Sequence, residues 1–380
     1  MEGPTGEHMP RRLRVPRRLR RPLRGRRPGI PLVLTAASVL AGSLLAACSS
    51  ATPDAGPHSG TNGAATTTST TAAAPPAAAT GPACPLTGLP APGGAVPQRS
   101  ALAVKVDNYP TARPQTGLTA ADVVFEEPVE GGITRYVAVF QCHGTASVGP
   151  VRSARNIDIG ILGQLGQPLL VHVGGIQPVI NNILASPLKD FELGDYTTVI
   201  QHPAGRYAPY DTYTSTTAVW HMRPTADTPP APLFTYSRTV PSGTPVSSIS
   251  VPFSFYSPVT WRWDATKGVF LRYFKSTPDL LSNGVQNSAT NVVVQFVNVF
   301  YGPWVENTQG GLEVQANLYT NASGTALIFR NGEEVQARWS RSTLGQPTSF
   351  TTTSGTPVAL EPGTTWVELV PSTIQVTPTP

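Results

Sequence analysis

From Ser49 to Ala83 the chain is almost entirely alanine, threonine, proline, serine and glycine, with no apolar period from which a core could be built. Such a segment buries too little apolar surface to offset the entropy of ordering, and it is expected to be a tether. Folding is thereby confined to the part that follows, about 295 residues from near Cys84 onward, enough for two hydrophobic cores. As a flexible coil, the tether of about 35 residues would average roughly 30 Å end to end, and about 115 Å when drawn straight.

What precedes the tether gives a reason for having one. An arginine-rich start from Arg11 to Arg27 leads into an apolar stretch from Ile30 to Leu45, closing on Leu45-Ala46-Ala47-Cys48. A positive start, a short apolar segment and small residues before a cysteine are the layout of a lipoprotein signal peptide. Cys48 is therefore the expected lipidation site, anchoring the chain to the outer side of a bacterial cell membrane. The apolar stretch is shorter than the about 20 residues that a permanent span needs.

The charge belongs largely to that signal. Ten of the 27 basic residues and two of the 22 acidic ones precede Cys48, which leaves 17 basic and 20 acidic residues, a mature chain near −3. A basic pI that is discarded with the signal is no argument for nucleic acid, and none is expected as a partner. Beyond Cys48 the sequence holds Cys84 and Cys142. In an oxidising compartment they are expected to pair, restraining the unfolded chain by roughly 4 kcal/mol in the loop-entropy model. Only His143 stands beside either at ligand spacing, so neither a metal site nor a cofactor is expected.

The expected layout is a signal peptide over 1–47, the lipidated cysteine and tether over 48–83, an N-terminal α/β domain over 84–235 and a C-terminal β-domain over 250–372. Proline-rich joins at Pro224 to Pro232 and Val240 to Pro252 mark the boundary. The fold class is α+β, a sandwich-like α/β domain followed by a mostly antiparallel β-domain. In the first part, strands are expected at Ala101 to Val106, Asp122 to Glu127, Ile133 to Gln141 and Pro168 to Val173, with helices before Leu165 and over Gln177 to Leu184. Gly131-Gly132 reads as a two-residue hairpin turn. In the second part, strands are expected at Thr260 to Asp264, Val269 to Phe274, Asn291 to Phe300, Leu312 to Leu318, Ala326 to Phe329, Glu334 to Ser340 and Thr365 to Leu369.

Several stretches resemble a known family. Lys105-Val-Asp-Asn108, Arg113-Pro-Gln-Thr-Gly117, Glu130-Gly-Gly-Ile-Thr-Arg135, Gly149-Pro-Val-Arg-Ser-Ala-Arg155 and Val171-His-Val-Gly-Gly175 in the first half are similar to the YerB-type lipoproteins of bacteria. So are Thr260-Trp-Arg-Trp-Asp264, Asn291-Val-Val-Val-Gln295, Phe329-Arg-Asn-Gly332 and Pro362-Gly-Thr-Thr-Trp-Val-Glu368 in the second. The resemblance covers nearly everything after the tether. It implies a lipid-anchored, two-part architecture, both parts being domains of unknown function, and it implies no activity. Where the family pattern leads one to expect Ala-Pro-His-Asn, this chain has Ala208-Pro209-Tyr210-Asp211. A mechanism relying on a histidine there does not carry over.

Three constellations are candidates for ligand binding. If Glu130 faces Ile133 across the glycine turn, Arg135 lies opposite Pro128 and diagonal to Glu126 and Glu130, three charges on one face that form either a ligand site or a solvated ion-pair cluster. Pro128 then implies an edge strand or a bulge. Arg152, Ser153 and Arg155 precede a helix, an arrangement that suits phosphate; alternatively Ser153 caps the helix while the arginines pair with Asp122 or Asp158. His172 ends an apolar strand before two glycines, either as a ligand or as a hydrogen-bonded structural residue.

No catalytic motif is present, so no catalytic residue is assigned. The leading expectation is a non-catalytic, lipid-anchored envelope protein that binds or scaffolds cell-wall synthesis proteins or wall glycan. Trp261, Trp263, Trp304 and Trp339 would be either its contact surface or core. The alternative rests on a looser resemblance to the LytR-CpsA-Psr phosphotransferases. It implies that Asp107 and Asp122 hold magnesium or align an arginine, while Arg113, Arg152 and Arg155 bind a polyprenyl pyrophosphate.

Overall fold

The computed structural model describes residues 81–223, 228–239 and 243–380. The expected signal segment, Cys48 and the tether up to residue 80 lie outside the described residues. The fold is mostly β-sheet with few helices, and its strands are β1 (Leu102–Asp107), β2 (Val123–Pro128), β3 (Thr134–Phe140), β4 (Leu169–His172), β5 (Lys189–Glu192), β6 (Ser248–Pro252), β7 (Pro258–Asp264), β8 (Val269–Phe274), β9 (Asn291–Val297), β10 (Val299–Val305), β11 (Leu312–Ala316), β12 (Ala322–Arg330), β13 (Glu333–Arg341), β14 (Ser349–Thr352), β15 (Thr365–Pro371) and β16 (Thr377–Thr379). The helices are α1 (Ile157–Leu162), α2 (Gln177–Leu184) and α3 (Thr216–Met222).

An eleven-stranded sheet runs through both halves in the order β14-β13-β12-β9-β15-β2-β3-β1-β4-β5, with Thr244–Pro245 added against β13. β15 sits between β2 and β9, parallel to both. Its run Trp-Val-Glu-Leu-Val is buried throughout, as a strand covered on both faces requires. The stretches expected as separate domains, 84–235 and 250–372, therefore share one sheet. A second, smaller sheet, built on β8-β7-β6-β16, stacks against one face through Ile249, Val251, Val259, Trp261 and Phe270. On the other face lie α1 and α2, with Ile157, Ile161, Val179 and Ile183 in the core. Trp261 and Trp339 are core, while Trp263 and Trp304 are half-buried.

Three expectations are corrected. The turn between β2 and β3 is not a two-residue one: Val129 N donates to Ile133 O, which closes a three-residue loop, Glu130 to Gly132, with positive φ at both glycines. That moves the register by one, so that Arg135 lies opposite Glu127 and Pro128 opposite Thr134. Because side chains alternate, Glu126 faces the second sheet and Arg135 the helices. Nor is β2 an edge strand: Pro128 ends it one step beyond Glu127, outside the β15 pairing. The expected strand Asn291 to Phe300 is in fact two, because the chain leaves the sheet after Val297 and continues in β10, which pairs only with β11. Cys84 and Cys142 form the expected disulfide.

Candidate functional site

Strand alternation in β1, β2 and β3 sends charged side chains to both faces of the sheet, and the ten sequence candidates are divided between them. On the helix face, Lys105 Nζ is hydrogen-bonded to the Glu127 carboxylate and, at 2.6 Å, to Asp158 Oδ1, all three side chains fully buried. Burial pushes the Glu127 carboxyl well up, and the Lys105 charge opposes this. Next along the face, Arg155 forks onto Glu130, with Nε donating to Oε2 at 2.9 Å. Arg135 donates to Ser153 O at 2.9 Å and lies 3.6 Å from Glu130 Oε1. Burial alone would raise the Glu130 carboxyl, but the Arg155 hydrogen bond and charge, with Arg135, hold it at about 2. Burial, then the neighbouring Arg155 charge, lowers Arg135 to about 10.

This cluster ends at the carboxyl ends of β1 and β4, a parallel pair of the sheet, a position where open α/β sheets place ligand sites. Arg152 Nε pairs with Asp107 Oδ2 at 2.7 Å while its side chain stays 28% exposed, with the Tyr210 ring 5.8 Å from the guanidinium. Tyr210 thus stands beside Arg152 at the place where the family pattern suggests histidine. Ser153 does not cap α1; Asn156 occupies that position without a capping bond. Arg155 pairs with Glu130 and Glu306, not with Asp122.

His172 is a buried node. Nε2 lies 2.7 Å from Asp190 Oδ1, while Nδ1 lies 2.9 Å from Gly174 O and 3.2 Å from Glu192 Oε2. Burial favours the neutral ring, yet the Asp190 hydrogen bond and the Glu192 charge win, so its pKa is raised. A histidine enclosed in this way ties β4 to β5.

The remaining candidates lie elsewhere. Glu126 accepts from Arg272 Nη2 and Thr134 Oγ1, both at 2.6 Å, between the two sheets. Arg113 spans the same layer: Nη2 donates to Asn108 O and Tyr256 O, and the guanidinium stacks 3.5 Å from the Phe274 ring centroid. Asp122 accepts from the Gln141 and Cys142 backbone and bonds His143 beside the disulfide. Its backbone is level with Val139 while Asp107 is level with Arg135, a separation of roughly 13 Å at the usual strand rise. The pyrophosphate and magnesium arrangement of the phosphotransferase resemblance would need Asp107, Asp122 and Arg113 together; the fold disperses them.

Sequence reasoning missed Lys105, Glu127, Arg272, Asp279, Glu306, Glu313 and Glu368, and named Asp158 only as a partner for the arginines. The signal was present as single charges inside otherwise apolar strands, such as Leu-Ala-Val-Lys105 and Phe-Leu-Arg272-Tyr-Phe. Such residues need a buried partner. None of the ten candidates lines the cavity of 720 Å³ between α1, α2 and the β10–β11 hairpin.

The comparisons agree with this architecture. The profile described as protein of unknown function (DUF3048), N-terminal domain, matches residues 86–228, and its C-terminal counterpart matches 249–367. YerB of Bacillus subtilis (strain 168), named as a candidate lipoprotein, is 41% identical over 110 residues, 29% of this chain. That match spans only 32% of YerB's own length. The crystal structure of YerB protein from Bacillus subtilis matches with a TM-score of 0.66 at 22% identity, over 78% of this chain and 99% of that one, a likeness of fold.

Proposed function

The chain belongs to the DUF3048 family, and on that footing we propose that it is a lipid-anchored envelope protein that binds cell-wall polymers or the proteins that build them, without catalysing a reaction itself. Cys48 is the anchor, on the outer side of the membrane, and the segment to residue 83 is the tether that gives the folded part its reach. The observation that carries the reading is the use of the charged candidates. Glu126, Glu130, Arg135, Arg155 and His172 are buried and paired with one another or with their neighbours, as parts of a scaffold are. Arg152, held from beneath by the buried Asp107, remains with Ser153 and Tyr210 at the rim as a recognition point for an anionic group. The wide concave surface beside them is neutral.

The test is retention of the full chain by purified wall sacculi, with Cys48→Ser beside it to separate anchoring from binding. The expected result is retention of both forms on sacculi and loss of membrane association in the Cys48→Ser form. Failure of both forms to bind sacculi or any wall-synthesis protein would overturn the reading.

A further inference from the structure

The cavity between the helices and the β10–β11 hairpin is a built site of a particular chemistry. Its 720 Å³ falls within the roughly 300–1,000 Å³ usual for small-molecule sites. No side chain lining it is charged. Its polar lining is dominated by carboxamides, Asn156, Asn182, Gln315 and Asn317, and it includes the rings of Phe300 and Tyr319.

The amides are oriented from behind. Glu313 on β11 is fully buried, and Gln315 Nε2 donates to its Oε2 at 2.7 Å. Asn156 stands by the same carboxylate, its backbone and side chain both favouring the charged form. Asn182 Nδ2 in turn donates to Asn156 Oδ1 at 3.1 Å. The amides thus converge on one carboxylate, and Asn182 and Gln315, having each spent one N–H in this chain, keep a second N–H and a carbonyl for the cleft. A buried carboxylate is costly, and burial does raise the Glu313 carboxyl against these donors. Space was also left for it. A Cβ at Gly302 would stand 2.4 Å from Glu313 Oε2 and 2.7 Å from Gln315 Nε2, so the neighbouring strand carries no side chain at that point.

Amides that both donate and accept are matched by hydroxyl groups, which do the same. An anion would require a cation in the lining, and an apolar ligand would leave the amides unpaired at a penalty. Aromatic rings with exposed faces, such as Phe300 at 46%, suit the apolar C–H face of a sugar ring. The geometry points to a neutral, hydroxyl-rich oligosaccharide as the ligand of this cleft. The inference rests on the proposed wall-binding role and names the ligand class within it.

The test uses the full chain in detergent micelles, titrated by calorimetry with N-acetylchitotetraose and, separately, with oligomeric glycerol phosphate as the anionic counterpart. Asn182→Ala and Phe300→Ala remove exposed side chains without opening the core, and Glu313→Gln disturbs the hydrogen-bonded chain; unfolding curves check that each variant is folded. Saturable binding of the tetraose is expected, weakened about tenfold in Asn182→Ala and Phe300→Ala, as for loss of one hydrogen-bonding or stacking partner. A several-fold loss is expected in Glu313→Gln. No saturation at millimolar tetraose, undiminished affinity in both exposed-site variants, or binding of glycerol phosphate alone would overturn the inference. Sacculus retention distinguishes the two readings. If sacculi hold the wild type and both variants equally, the wall-binding reading stands and the cleft assignment fails; if the tetraose binds at the cleft but sacculi do not retain the chain, the reverse holds.

Discussion

The two charged clusters on either side of β2 are built from the same residue types and do different jobs. Between the sheets, Arg272 of β8 reaches Glu126 of β2 and Asp279, each at 2.6 Å, with every side chain essentially out of solvent. Glu368 of β15 accepts from Trp261 Nε1 alongside, and burial, with Glu126 close by, keeps its carboxyl far above the ordinary range. On the helix face, the charges begin fully buried at Lys105 and end at half-open Arg152 and at the hairpin residue Glu306. A cluster closed on all sides fixes one layer on another. One that runs to the rim can fix a surface.

This difference should appear first as stability. Arg272→Met leaves Glu126 and Asp279 buried without their cation and is expected to cost about 3–5 kcal/mol in denaturant unfolding. A loss below about 1 kcal/mol would mean that the closed cluster fastens nothing. Lys105→Met should cost less, about 2 kcal/mol, because Glu127 already leans toward its neutral form and Asp158 keeps the Arg155 backbone N–H at 2.7 Å. Equal costs at the two sites would remove the distinction between a charge that can be neutralised and one that cannot.

The next two predictions turn on pH. The folded-state pKa of Glu130, about 2, lies below its ordinary 4.5, so its contribution is complete above 4.5 and is lost as pH falls through about 2. The stability gap between wild type and Glu130→Gln should close over that window in acid titrations followed by circular dichroism. For His172 the sign reverses: its pKa is raised above 6.5, so the contribution is complete below 6.5 and fades as pH rises through the folded value. A His172→Gln variant whose deficit grows with pH would contradict the assignment. Smallest of all, Arg152→Ala should change stability by about 1 kcal/mol, since water can reach the rim and Arg135 still faces Asp107.

Much of this was legible before any coordinates. Helix α2 has the bounds that its Val179 and Ile183 spacing implies, and the apolar alternation of β1, β3, β7 and β8 located them to within a few residues. The shared sheet was not legible, because β15 pairs with β2 across more than 200 residues and nothing local records a partner that distant. The one hint was its run Trp-Val-Glu-Leu-Val, apolar on both sides of a single charge, as in a strand covered on both faces. The charged clusters were half legible. Arg152 and Arg155 stood out because they lie three residues apart in one short segment, whereas Arg272 and Glu313 each sit alone in a strand and gain meaning only from what the fold brings opposite.

The position of β15 bears on how the chain comes into being. Until residues 365–371 have been made, β2 and β9 each present an open edge, and neither half has its neighbour in the central sheet. Contacts so distant in sequence form late, after the cost of closing the long loop has been met. A product ending before residue 365 would therefore lack the strand that joins its halves, leaving β2 and β9 with two ragged edges for a protease to find.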